Sequence, residues 1–127
     1  MSSRHGYKMM LSACLHGDGQ AAGQYFSLYV NILRGEYDSL LEWPFLHKIT
    51  LTLMDQNTVE AERRVIDYVI RPVGGRENKH FLDRPTSERN AAFGAQRFCL
   101  LDTLVGYITD DTIFVKCAVD TEHMPIL

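Results

Sequence analysis

The chain has 127 residues, 46% of them hydrophobic and 23% charged, with a formal net charge of −3. That length fits one domain, which buries roughly two-thirds of the surface its unfolded chain exposes, and the slightly acidic balance without a basic stripe excludes a general nucleic-acid binder. Cys14, Cys99 and Cys117 are far apart, odd in number and form no C-x-x-C pair, which excludes a disulfide framework or a zinc site and points to a reducing, cytoplasmic compartment.

In chain order, residues 7 to 15 alternate, with Tyr7, Met9, Leu11, Ala13 and Leu15 on one side and Lys8, Met10, Ser12, Cys14 and His16 on the other, the pattern of a half-buried strand. His16-Gly17-Asp18-Gly19 is turn chemistry, and residues 25 to 33 predict a second strand with Phe26, Leu28, Val30 and Ile32 facing one way. The two make a hairpin with a long loop. Pro44 lacks an amide donor, so the stretch up to Phe45 reads as irregular, and Ile49, Leu51 and Leu53 then mark a third strand.

Residues 57 to 70 are ambiguous. Asn57 with Glu60 has the spacing of a capping box, while Val65, Ile66, Val69 and Ile70 serve helix or strand, and the pattern alone slightly favours helix. Residues 71 to 90 carry Pro72, Gly74, Gly75 and Pro85 and predict a long loop with Phe81 as its only large apolar anchor. A strand over 96 to 101, a helical turn over 102 to 106 capped by Asp102, and a final strand over 112 to 119 complete the chain, the last with Ile113, Val115, Cys117 and Val119 on one face. Short strands divided by turns predict an all-β, antiparallel β-sandwich with one or two short helical turns. MSSRHGYKMM has no apolar signal core and no run reaches about 18 apolar residues, so neither secretion nor a membrane span is expected.

Catalytic chemistry finds little support. The histidines at 5, 16, 47, 80 and 123 have no ligand spacing, so no metal or cofactor is expected. Asp110-Asp111 reads as a turn bonding local amides rather than an acid–base pair. Cys99 with His80 is a nominal nucleophile and base, but Cys99 sits in an apolar strand, where a thiol acts as a small hydrophobe. Gly17, Gly19 and Gly23 join two strands, without the helix N-terminus a phosphate cradle needs. No enzyme is expected.

Gly6-Tyr7-Lys8, HGDG at 16 to 19, FSLYVNILRGEYDSLLEWPF at 26 to 45, LTLMDQ at 51 to 56, VIDY and RP between 65 and 72, FLDRP at 81 to 85, AFG at 92 to 94 and DDTIFVKCAVDT at 110 to 121 together resemble the TRAF domain of TNF receptor-associated factors, in the MATH domain family. The likeness is to the fourth type through SA at 12 to 13 and LLEWPF, and to the sixth through GEYDS, DDT and KC. It implies an eight-stranded sandwich that normally caps a trimerising coiled coil and binds short extended peptides of receptor or adaptor tails. The domain would span 6 to 122, with 1 to 5 and 123 to 127 as tails. The family's first two strands have no counterpart before Gly6, and an unfilled edge invites strand addition. The coiled coil, zinc fingers and RING are likewise absent, so ubiquitin-ligase chemistry is not expected here. Trp43-Pro44-Phe45 resembles the family's buried corner, and the resemblance makes residues 65 to 70 a strand preceded by a helical turn at 60 to 64.

For the peptide groove, the first, second, third and fifth types carry an arginine and a tyrosine where this chain has Ser12 and Cys14, and three serines where it has Asn78, Lys79 and His80 ahead of Phe81. The sixth type's aromatic-Gly-Tyr trio matches Phe93-Gly94-Ala95. The candidate peptide-binding residues are therefore Ser12, Cys14, Tyr29, His80, Phe81, Phe93, Gly94 and Ala95, with Tyr29 and Phe81 equally read as core aromatics. The expected partners are receptor-tail or adaptor peptides, with a homotrimer in the full-length protein, no nucleic acid, and a membrane only through receptors. The alternatives are a mainly structural, oligomerising module and a domain that selects ubiquitination substrates. An acidic-lipid role would need Arg63, Arg64, Arg71, Arg76, Lys79, Arg84 and Arg89 to cluster, where cations spread along a loop ordinarily just solvate it.

Overall fold

The structure is a computed structural model, and it describes residues 6–120. Six strands form two antiparallel sheets: β1 Lys8–Cys14, β2 Tyr25–Leu33, β3 Ile49–Leu53, β4 Ile66–Ile70, β5 Phe93–Leu100 and β6 Val115–Val119. The first sheet has the order β1-β2-β5 and the second β4-β3-β6. The resemblance implies eight strands, and six are present among the described residues.

Alternation explains the layering. On β2, Phe26, Leu28, Val30 and Ile32 are at most 1% exposed, and Ile49, Leu51 and Leu53 of β3 are fully buried opposite them in one core with Phe45. Each such side chain contributes about 1.5–3 kcal/mol by leaving water. Val115, Cys117 and Val119 stand opposite Leu53, Leu51 and Ile49 in the β3–β6 ladder, so the second sheet turns one apolar row inward. The alternation fails at one place: the β2–β5 register shifts between Phe26 and Leu28. Phe98 and Cys99, adjacent in sequence, are both buried beside that irregularity.

Several local expectations need correction. Residues 71 to 90 are not structureless: a 3-10 turn at Arg76–Asn78 runs into α1, Lys79–Leu82. Its deep anchor is Leu82, 3% exposed, while Phe81 is half-buried at the rim. The second helix, α2, spans Leu101–Val105 and has Leu100 at its N-cap with no side-chain bond, so Asp102 lies inside the first turn and does not cap it. The last strand begins at Val115, not Thr112, because Thr112 is taken up in a bridge with Thr109. Asn57 makes no capping box; its Oδ1 accepts the Val59 N–H (2.9 Å), and the 3-10 turn at Glu60–Glu62 follows. The two short α-helical turns, α1 and α2, match the one or two expected, and further 3-10 turns lie at Gly19–Ala21 and Asp38–Leu40.

The corner at 43 to 45 is divided between core and rim. Phe45 is fully buried, whereas Trp43 is only partly covered. Tyr7 wedges between them with edge-on ring contacts of 4.7 Å to Phe45 and 5.1 Å to Trp43. Trp43 Nε1 donates to the Asp38 carbonyl (2.8 Å), and the Tyr7 hydroxyl donates to the Glu42 carbonyl (2.6 Å). Burial, then the Glu42 charge, pushes the Tyr7 hydroxyl above the usual tyrosine range. On the other sheet Gln56 Nε2 donates to the carbonyls of Tyr107 (2.9 Å) and Thr112 (2.7 Å), tying the 107–112 turn to the end of β3.

Candidate functional site

Because Leu28 and Val30 face the core, their neighbours Ser27, Tyr29 and Asn31 point to the outer face of the first sheet. Side chains directly opposite in an antiparallel ladder share a face. Ser12 stands opposite Tyr29, and Tyr29 opposite Gly94, so these three make one row across β1, β2 and β5; Cys14, opposite Ser27, belongs to the next row but one along the strand. Gly94 has a φ of 151°, and a Cβ there would lie 2.6 Å from the Leu28 carbonyl oxygen. Only glycine fits, and it lets β5 approach β2 closely at this point.

Polar groups lock this face. The Tyr29 hydroxyl donates to Asp18 Oδ2 (3.1 Å), and Gln96 Nε2 donates to the Asp18 carbonyl (3.0 Å), which holds the glycine-rich loop beside the row. Partial burial and that bond to Asp18 raise the Tyr29 hydroxyl above the usual tyrosine range. Ser12 Oγ donates to Asn31 Oδ1 (3.0 Å) and Asn31 Nδ2 to the Asn90 carbonyl (3.0 Å). Asn90 continues the relay, its Nδ2 donating to the carbonyls of Asp83 (2.7 Å) and Phe81 (3.2 Å). Ser12 therefore positions the 81–90 segment as well as lining the surface.

Not every predicted residue joins this row. Phe93 pairs with Val30 and so points to the opposite, inner side from Tyr29, where it meets Phe81 edge-on at 6.3 Å. The expectation of one groove lined by both Tyr29 and Phe93 gives way to a sheet edge with Tyr29 on one side and the Phe81–Phe93 pair on the other. Ala95 pairs with Leu28 and is 3% exposed, a core residue out of a ligand's reach. His80 is exposed on α1, next to Lys79. β5 has β2 on one side and no strand on the other among the described residues.

The chemistry considered for catalysis is dispersed. Cys99 is opposite Phe26 in the core, and burial pushes its thiol up; no hydrogen bond joins it to His80 among the described residues. Asp110 and Asp111 have φ of 52° and 59°, and Thr109 and Thr112 exchange both amide bonds around them at 3.0 Å. They form a tight hairpin turn. Among the described residues no three His, Cys, Asp or Glu side chains gather to hold a metal ion, and no helix is long and apolar enough to cross a membrane. The loop cations separate: Arg63 bonds the Asn57 carbonyl on the second sheet's side, while Lys79, Arg84 and Arg89 line one recess beside α1.

The model of the TRAF/meprin MATH domain matches residues 1–116. This chain belongs to the TRAF/meprin MATH domain family. TNF receptor-associated factor 5 of Mus musculus is 40% identical over 123 residues, which are 94% of this chain and 21% of that protein. TNF receptor-associated factor 1 of the same species is 42% identical over 124 residues, covering 94% and 29%. TNF receptor-associated factor 6-B of Xenopus laevis is 35% identical over 133 residues, covering 99% and 22%. The MATH domain described here thus spans less than a third of these relatives, and its likeness to the first and fifth types exceeds that to this sixth-type protein. The solved structure of Notothenia coriiceps TRAF5 superposes with a TM-score of 0.84 at 33% identity, over 97% of this chain and 60% of that one. The residues that sequence reasoning missed are Asp18, Asn31 and Asn90. Asp18 and Asn90 carried a loop signal and Asn31 only its place on β2, with no sign of which partners they would meet.

Proposed function

We propose that this MATH domain is the recognition end of a cytoplasmic signalling adaptor: it binds short extended peptides of TNF-receptor-family tails or of other adaptors and, in the full-length protein, links them to a trimeric ubiquitin-ligase scaffold. The observation that carries the reading is the side of β5 that has no strand beside it among the described residues, flanked by the Tyr29 row and the Phe81–Phe93 pair. An extended chain laid there gains main-chain hydrogen bonds, and alternate side chains reach the two flanking surfaces. The relatives' names, all TNF receptor-associated factors, support the same reading.

Calorimetric titration with peptides holding a Pro-x-Glu or Pro-x-Gln core tests it. Saturable heat is expected, weakened in the Tyr29→Ala and Phe81→Ala variants. Absence of heat with every peptide, or heat indifferent to both substitutions, contradicts it.

A second reading, an oligomerising module, draws on the other sheet. β4 and β6 are both edges, and Val65, Tyr68, Val69 and Phe114 are exposed large apolar side chains on or beside them. Unpaired apolar edges invite strand addition. The mass in solution separates the two: a monomer at all concentrations favours recognition alone, and a concentration-dependent dimer or trimer favours assembly through these edges.

A further inference from the structure

The outer face ends in a cationic band. Leu33, the last residue of β2, has Lys8 opposite it on one side and, through an antiparallel bridge, Arg89 on the other. The bridge is held by Arg34 N–H to the Glu88 carbonyl (2.9 Å) and Asn90 N–H to the Ile32 carbonyl (2.8 Å). With neighbouring strands about 4.8 Å apart, Lys8 and Arg89 flank Leu33 across roughly 10 Å on one face. Arg34 and Glu88 complete this recess of about 560 Å³. Arg89 also lines a second recess of about 560 Å³ with Lys79, Asp83 and Arg84, so the two meet at its side chain. Five cations thus face two carboxylates on a chain of net charge −3. All five are exposed, and no ion pair neutralises them among the described residues.

We propose that this band holds the acidic side chains of the peptide that the domain binds. The proposal rests on the peptide-recognition reading above and adds where the ligand's charge lies. Arginines present forked donors that match a carboxylate, and unpaired cations lose no existing partner when one arrives. The Ser12–Tyr29–Gly94 row has no cation; the Asp18 carboxylate stands over Tyr29 instead and repels an acidic side chain there. Lys8 lies four residues before Ser12 on β1, about 13 Å along the strand. Measured along the strand direction, the ligand's acidic cluster therefore lies about that far from the residue beside Gly94. No Phe, Tyr or Trp lines either recess, which removes base stacking as a reason to take a nucleic acid, and no exposed large apolar side chain lines them to enter a lipid surface.

Three fluorescein-labelled peptides with one Pro-x-Gln core test this by anisotropy on the 127-residue chain: glutamates before the core, glutamates after it, and glutamines at both places. One glutamate peptide is expected to bind at least about tenfold tighter than the glutamine peptide at low ionic strength, with the advantage shrinking as salt rises. Lys8→Glu and Arg89→Glu, each with an unchanged unfolding midpoint, are expected to remove that advantage and leave the glutamine peptide's affinity as it was. Should Arg89→Glu lower the midpoint, Arg84→Glu replaces it. Equal binding of all three peptides overturns the proposal and leaves peptide recognition standing, whereas no binding of any peptide overturns both. An advantage that survives the charge reversals, or tighter binding of anionic vesicles or a single-stranded oligonucleotide through the same residues, also overturns it.

Discussion

Gly94 stands directly opposite Tyr29, and the two backbones are so close that a Cβ on Gly94 would lie 3.0 Å from the Tyr29 Cα and 2.6 Å from the Leu28 carbonyl oxygen. Gly94→Ala therefore strains the backbone and pushes β5 from β2 at once. The expected loss is about 2 kcal/mol or more. Urea unfolding measures it, and an unchanged midpoint would show that the ladder is looser here than the register implies.

At the corner, burial ranks two neighbouring rings. Phe45→Ala empties a fully buried site and is expected to cost about 3–5 kcal/mol. Trp43 is partly exposed and held by one edge contact and one hydrogen bond, so Trp43→Ala is expected to cost about 2–3 kcal/mol. Thermal unfolding of both variants gives the order, and a larger loss at Trp43 contradicts it.

Asp55 predicts an acid effect. Its carboxylate accepts the backbone N–H of Arg64 (2.8 Å) and of Asn57 (3.0 Å), and these bonds, the Arg64 one first, hold its pKa below the usual carboxylate value. A folded pKa below the unfolded one stabilises the fold above the unfolded value of about 3.9, and that contribution disappears as pH falls through the lower folded value. The stability difference between the wild type and Asp55→Asn is therefore expected to be full near neutrality and to narrow below about pH 4. Denaturant midpoints measured across that range check it; curves that stay parallel contradict it.

The Asp110-Asp111 turn places two non-glycine residues at positive φ. Two-residue hairpin turns of this hand favour Asn-Gly. Replacing Asp110-Asp111 with Asn-Gly is expected to raise stability by about 0.5–1 kcal/mol. A melting curve at or below that of the wild type would mean that these aspartates make compensating bonds.

Strand β2 was legible because Phe26, Leu28, Val30 and Ile32 alternate along its whole length, although the register shift between Phe26 and Leu28 left no sign in the sequence, and β3 because Ile, Thr and Leu alternate between two turn signals. β4 was not, since Ile66, Val69 and Ile70 satisfy both periodicities and only the family resemblance made them a strand. Phe81 and Leu82 are adjacent apolar residues, and which one enters the core depends on how α1 leaves the Arg76–Asn78 turn. Phe93 was misplaced relative to Tyr29 because pleat parity depends on register, which pairs Tyr29 with Gly94. The cationic band was the least legible feature: the Leu33–Arg89 bridge brings together Lys8, Arg34 and Arg89 from segments with no local pattern in common.

Peptide recognition here requires a foreign extended segment to add to the side of β5 that has no strand beside it among the described residues. Residue-resolved amide hydrogen exchange, with and without a saturating Pro-x-Gln peptide, tests it most directly. The account predicts new protection along Phe93–Leu100, with small changes at Tyr29 and none on β4 or β6. Protection confined to β4 or β6, or none on β5, would contradict it.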